Sequence, residues 1–171
     1  MNTVILFLLF STVPTYSRKL IRTLTIDYVN ISYCNPEYII SKIEMKKLDR
    51  RTFSMNISVD VFRDVTDMKG SIRIFKFSDN VYKETALKYS GDLCTLLDML
   101  RQKYKIHMNE QFKHFFTKCP IMKGHYYMHN FNGKDLGVPI IPQWKTRTFI
   151  EVESNNVLIG KVYADITVID E

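Results

Sequence analysis

Nothing in this chain divides it: no internal repeat, no low-complexity tract and no linker-like stretch interrupts its 171 residues. The short motifs of the common catalytic classes are missing too. There is no nucleophile elbow, no phosphate loop and no CxxC pair. No apolar run reaches the roughly 20 residues that a membrane-crossing helix needs. Cysteine is scarce, with three residues at Cys34, Cys94 and Cys119, so any single bridge leaves one thiol over. Charge is unbalanced, with 24 Lys and Arg against 18 Asp and Glu, a formal net charge of +6.

The N-terminus sets how that charge is read. Residues 1–17 have the form of a secretory signal peptide, with an apolar run from Val4 to Phe10 and small Thr15 and Ser17 at the −3 and −1 positions of a cut. Ser11, Thr12 and Pro14 break the run well short of a membrane span. The expectation is a secreted, extracellular protein whose residues 18–171 form a single domain. A basic secreted chain points away from nucleic acid; its charge reads first as an ordinary solvated surface, and it allows a receptor with an acidic surface or an anionic membrane surface as partner. The cluster Lys46, Lys47, Arg50 and Arg51 reads first as a solvated strand end. Secretion also makes the two sequons, Asn30-Ile31-Ser32 and Asn56-Ile57-Ser58, candidate glycosylation sites at Asn30 and Asn56.

One stretch reads as helix. Leu93, Leu96, Leu97, Leu100 and Tyr104 recur at helical spacing. A second short amphipathic piece follows, with Asn109 as its cap and Phe112, Phe115 and Phe116 on its apolar side, and it stops at Cys119-Pro120. The helical insert therefore spans about 92–118. A Cys94–Cys119 bridge would clamp its two ends, worth roughly 3–4 kcal/mol in the chain-entropy model. The pairings of Cys34 with either partner stay open, as does a disulfide between two chains.

The rest reads as strand. Segment 52–63 alternates most clearly, with Phe53, Met55, Ile57, Val59 and Val61 on one face and Ser54, Asn56, Ser58 and Asp60 on the other. Segments 21–32, 39–48, 71–78, 124–131, 144–153 and 157–169 follow with weaker patterns. Asn35-Pro36, 67–70, Asn132-Gly133 and 154–156 read as turns, and the prolines at 139 and 142 keep their segment extended. A hairpin of 52–63 with 71–78 is expected, and 82–89 reads as irregular or as the start of a strand. In 71–78 the phase is muddled, so either both faces are covered or a bulge intervenes. On the last strand Leu158, Val162, Ala164, Ile166 and Val168 take the inner face. Together these give a mainly β fold, an antiparallel sandwich or cup with a short helical insert.

The chemistry candidates are thin. His125 and His129 share a strand face but lie about 13 Å apart at roughly 3.4 Å per residue, too far to hold one ion. His107 and His114 are split by a helix boundary. Cys34 as a nucleophile would need a paired base that nothing nearby supplies. The expectation is no metal, no cofactor and no catalysis; a secreted hydrolase has no motif behind it. What the sequence offers instead is apolar: 11 Phe, 10 Tyr, 1 Trp and 8 Met. Met and Phe suit an adaptable ligand cavity, though the same residues also make a filled core.

Four motifs in order shift that balance: Lys47-Leu-Asp-Arg50, the Phe53-x-Met55-x-Ile57 strand, Asp92-Leu-Cys-Thr-Leu-Leu97, and Lys118-Cys-Pro-Ile-Met-Lys-Gly-His-Tyr126. This order resembles a family of small secreted insect proteins first described as a domain of unknown function. That family is grouped with the ML-type lipid-recognition proteins and with chemosensory A/B proteins, which look like the ganglioside activator. The resemblance implies a β-cup whose two sheets part to hold an aliphatic ligand. It supports Cys94 and Cys119 as structural half-cystines, Pro120 and Gly124 as turn residues and Tyr126 as a strand residue. Relatives carry a further cysteine where this chain has Ile43, which leaves Cys34 without that partner. No catalytic motif carries over.

The expected function is a secreted, non-enzymatic binding protein for a hydrophobic small molecule or lipid. A role in chemosensory or pheromone perception follows from the resemblance alone. The competing expectation is an extracellular protein-interaction module with a filled core. Strand phase nominates Phe53, Met55, Ile57, Val59, Phe112, Phe115, Phe116, Met128 and Trp144 for the ligand pocket, with Tyr126 or Tyr127 near its mouth.

Overall fold

The computed structural model describes residues 22–48, 53–104, 119–132 and 144–170. The expected leader at 1–17, the second helical piece with Asn109, Phe112, Phe115 and Phe116, the turn at Gly133 and the prolines at 139 and 142 lie outside them. Eight strands and one helix follow in order: β1 (Arg22–Cys34), β2 (Ile39–Lys47), β3 (Phe53–Val61), β4 (Met68–Ser78), β5 (Val81–Asp92), α1 (Leu93–Tyr104), β6 (Gly124–Phe131), β7 (Lys145–Ser154) and β8 (Val157–Asp170). They form two antiparallel sheets, one ordered β1-β8-β7-β4-β5 and one ordered β2-β3-β6. This is the expected mainly β sandwich with a short helix.

Turn chemistry sets the connections. Two-residue hairpins join β4 to β5 and β7 to β8, and their central residues, Asp79-Asn80 and Asn155-Asn156, all take positive φ. Asn and Asp tolerate that region, and its twist matches paired strands. Between β1 and β2, Asn35 folds the chain over: its carbonyl accepts from Tyr38 and Ile39 N–H, and its side-chain oxygen accepts from Glu37 N–H.

The segment 52–63 does not make a hairpin with 71–78. β3 pairs with β2 and β6, while β4 lies in the other sheet between β5 and β7. Residues 67–70 are no simple turn, since β4 already starts at Met68. Gly70 is there for close approach: a Cβ on it would lie 2.5 Å from Leu93 Cδ1 and 2.6 Å from the Glu151 carbonyl oxygen. Its bare backbone thus lets α1 lie down on the sheet. Segment 82–89 is part of β5. The phase of β4 reads as muddled because both of its faces are covered: β4 keeps register with β7 from Met68 to Lys76, and Phe75 packs against Phe149 on the outer face. The bulge lies on β5. The pairing slips between Arg73 and Phe75, where the Thr85 hydroxyl donates to the Ile74 carbonyl (2.8 Å) and accepts from Leu87 N–H (3.1 Å).

The helix α1 begins directly after β5. Asp92 caps it by accepting from Thr95 N–H at 2.5 Å, and that hydrogen bond holds the Asp92 carboxyl below its usual range. Leu93 and Leu96 form its buried face, against Val61, Val65, Met68 and Ile159. Cys94 is disulfide-bonded to Cys119, with Cα atoms 5.9 Å apart. The bridge ties the first turn of the helix to the chain just ahead of β6, so it links the two sheets. Beside it, Val65 and Ile121 exchange backbone hydrogen bonds of 2.8 and 3.1 Å.

Candidate functional site

The interior between the sheets has two parts. In one, Met55, Met128 and Phe131 pack together, each 3% exposed or less, with Ile26, Val29, Ile43 and Met45 against them. A bulge makes this cluster. Residues three apart on a regular strand point to opposite faces. Here Ile57 pairs with Met128 and Met55 with Phe131, so Asn56 faces two residues of β6. Asn130 absorbs the extra residue at φ 52°, and its N–H donates to Asn56 Oδ1 at 3.0 Å. Both Met128 and Phe131 are thereby brought inside.

In the other part the sheets stay apart around a cavity of about 240 Å³. The three-stranded sheet contributes Ile39, Ser41 and Ile43 of β2, Ile57, Val59 and Val61 of β3, and Tyr126 of β6. The five-stranded sheet contributes Ile31, Tyr33 and Cys34 of β1, Ile159, Gly160 and Val162 of β8, Val152 of β7 and Met68 of β4. Val65 and Ile121 close one side. Most of the wall is β-branched. Val and Ile are short and stiff at χ1, so they suit a strand and do not reach across a gap.

Bulges again decide which residues face inward. The β1–β8 pairing slips between Ile31 and Tyr33, and Ile31 and Cys34, three apart, both reach the wall. The β7–β8 pairing slips after Val152, which sets Leu158 opposite exposed Glu153. Ile159, 3% exposed, takes the inner place expected of Leu158.

Every described residue of the wall is uncharged. Its polar atoms belong to Ser41, Cys34, Tyr33 and Tyr126. The Tyr126 hydroxyl donates to the Met122 carbonyl at 2.7 Å. Tyr33, at the β1–β2 edge, is 40% exposed. Cys34 has no disulfide partner, and burial pushes its thiol pKa up, against an opposing hydrogen bond from the Ser41 backbone. A thiol so placed is mostly protonated at neutral pH and a slow nucleophile.

The nominated pocket residues divide. Ile57, Val59 and Tyr126 line the cavity. Met55 and Met128 sit in the filled cluster instead, because the β6 bulge turns Phe131 in beside them and closes that space. Phe53 pairs with Lys47 at the far end of β3, beyond that cluster. Trp144 lies under Lys76, whose Nζ is 4.7 Å from the ring centre. Tyr127 is on the outer face, 58% exposed, between the rings of His125 and His129. His125 Nδ1 is 2.6 Å from Asp60 Oδ1. Among the described residues no group of three His, Cys, Asp or Glu could hold a metal ion.

The largest omission is β2. Its burial alternates strictly, with Ile39, Ser41, Ile43 and Met45 in and Ile40, Lys42, Glu44 and Lys46 out. Ser41 inside and Ile40 outside spoil the hydropathy pattern, so the strand reads poorly from sequence. Asn30 and Asn56 lie on β1 and β3, opposite Tyr163 and Glu44, with Asn56 engaged in the β6 bulge.

The outer face of the larger sheet is built differently. Arg147 bonds both oxygens of Asp165 at 2.7 and 2.8 Å, which raises its pKa and keeps it charged, and it lies over the rings of Tyr82 and Tyr163. Phe149 stacks against Phe75 and Tyr163, with Arg73 above it. These aromatic faces already have cations of the same sheet as partners.

Comparison with known proteins gives two findings. The family described as "Protein of unknown function (DUF1091)" matches residues 68–145, a segment holding both Cys94 and Cys119. Among solved structures the chain is similar to a Niemann-Pick type C2 protein from Japanese carpenter ant, at 14% identity and a TM-score of 0.27, over 84% of this chain and 90% of that one. No curated protein matches.

Proposed function

We propose that this protein is a secreted, non-enzymatic carrier that binds a hydrophobic small molecule or lipid between its two sheets. The observation behind the reading is the cavity itself: about 240 Å³, walled by Ile and Val side chains that face a gap. An engineered cavity of about 150 Å³ with an apolar wall stays dry and takes up benzene or xenon. A ligand entering this one would exchange water for apolar contact at roughly 25 cal/mol per Å². An interaction module with a filled interior has no use for such a gap. The slow Cys34 thiol and the uncharged wall suit binding better than turnover. A chemosensory or pheromone role is the narrower form of the proposal, and it rests on the family resemblance of the cysteine motifs.

Native mass spectrometry of protein secreted from eukaryotic cells, before and after organic extraction, tests the reading. A mass lost on extraction is expected. Saturation with 1-nonanol should then slow alkylation of Cys34, which is part of the wall. An unchanged mass, with Cys34 reacting at one rate with and without the alcohol, would overturn it.

A further inference from the structure

We infer that the ligand is uncharged and compact: about ten non-hydrogen atoms, with no more than one neutral polar group, which sits at the Tyr33–Cys34–Ser41 end. This rests on the binding reading above and narrows it. Size comes first. Scaling benzene's six carbons in about 150 Å³ to this volume gives about ten atoms. Pockets for drug-sized molecules begin near 300 Å³. The cavity lies below that range. It cannot grow toward Met55, Met128 and Phe131 without unpacking them, because they already fill the other half of the gap.

Charge comes second. A buried carboxylate needs a cation or several donors, otherwise it takes up a proton or stays in water. The described wall offers neither, only a thiol, a serine hydroxyl and two tyrosines. Their polar atoms are almost entirely turned away from the cavity, so they can take at most one neutral hydroxyl or carbonyl at its rim. Three of them gather at the β1–β2 edge, where Tyr33 is 40% exposed and Cys34 lies against the Ser41 backbone, while Tyr126 sits on β6 with its hydroxyl given to the Met122 carbonyl. The deep wall of Ile57, Val59, Ile159 and Val162 carries no polar side-chain atom at all.

Calorimetric titration of the delipidated full chain with matched probes tests this. At pH 8, 1-nonanol should bind at least about tenfold more tightly than nonanoate, because only the anion must lose its hydration. Lowering the pH to 4.5 should narrow that gap as the acid becomes neutral, while the alcohol's affinity stays level. Along the 1-alkanols from pentanol to dodecanol, affinity should climb and then stop climbing near about ten non-hydrogen atoms. Nonanoate binding at pH 8 as tightly as the alcohol, or affinity still climbing at dodecanol, would overturn the inference and leave the carrier intact. Failure of every probe, alcohols included, would overturn the carrier reading beneath it.

Discussion

The two halves of the space between the sheets are equally apolar and are solved in opposite ways. One is filled by Met55, Met128 and Phe131. The other packs where Val61, Val65, Met68 and Ile159 meet Leu93 and Leu96 of α1, and beyond that is walled mostly by Ile and Val with about 240 Å³ unoccupied. The difference is one of reach. Met and Phe are long, and Met bends to fit, so three of them span the gap. Val and Ile, which make most of the other wall, stop at the γ or δ carbon, and its longer residues, Met68, Tyr33 and Tyr126, leave the gap open. Sheets held apart by a packed cluster at one end, and by α1 with its disulfide at the other, cannot collapse onto the short side chains between. The gap therefore follows from where the long residues lie, more than from how apolar the lining is.

The comparison breaks most sharply at Phe131. Phe131→Ala should destabilise by about 3–5 kcal/mol, the usual cost of emptying a packed site. Ile57→Ala, in the open half, should cost less than the roughly 2–5 kcal/mol usual for truncating a packed isoleucine. Chemical denaturation of both variants checks the pair. Equal losses would mean that the halves are packed alike.

Glycine gives a second contrast. Gly70→Ala should cost about 1–3 kcal/mol, since the new methyl meets Leu93 and the backbone of Glu151. Gly160→Ala, at the cavity wall, should be close to neutral, because its nearest neighbour would be Ile39 Cδ1 at an ordinary 3.5 Å. Thermal unfolding of the two variants decides this, and a drop in both would place Gly160 against a closed wall.

The smallest effect concerns the helix packed against the open half. Hydrogen bonding to Thr95 holds the Asp92 carboxyl below its ordinary value. Its contribution is therefore complete above about pH 4, the unfolded value, and is lost as pH falls through the lower folded value. Wild type should lose a little stability in that window, and Asp92→Asn should flatten the loss. The carboxylate is exposed, so the change is small. Identical acid profiles for the two proteins would remove the cap's charge from the account.

Much of this was legible in the chain. The helical spacing from Leu93 to Tyr104 matches α1, the alternation of Phe53 to Val61 matches β3, and Cys94 with Cys119 makes the disulfide. Periodicity could not see the bulges. The slips in the β1–β8, β3–β6 and β7–β8 pairings each shift a register by one residue and so exchange inside for outside. That is how Ile159 displaced Leu158, and how Phe131 joined Met128. Long-range pairing was equally hidden. The strand after β3 in sequence crosses to the other sheet, and nothing local to residues 62–67 says so. The cavity wall was half legible. Ile57, Val59 and Tyr126 follow from strand phase, whereas Ser41 and Cys34 are polar types whose place inside depends on partners far along the chain.

Xenon tests the contrast most directly. A crystal pressurised with the gas should show it between Ile57, Val59 and Ile159, and nowhere around Met55, Met128 and Phe131. Side chains meeting across the Ile–Val half, with no xenon there, would contradict the account.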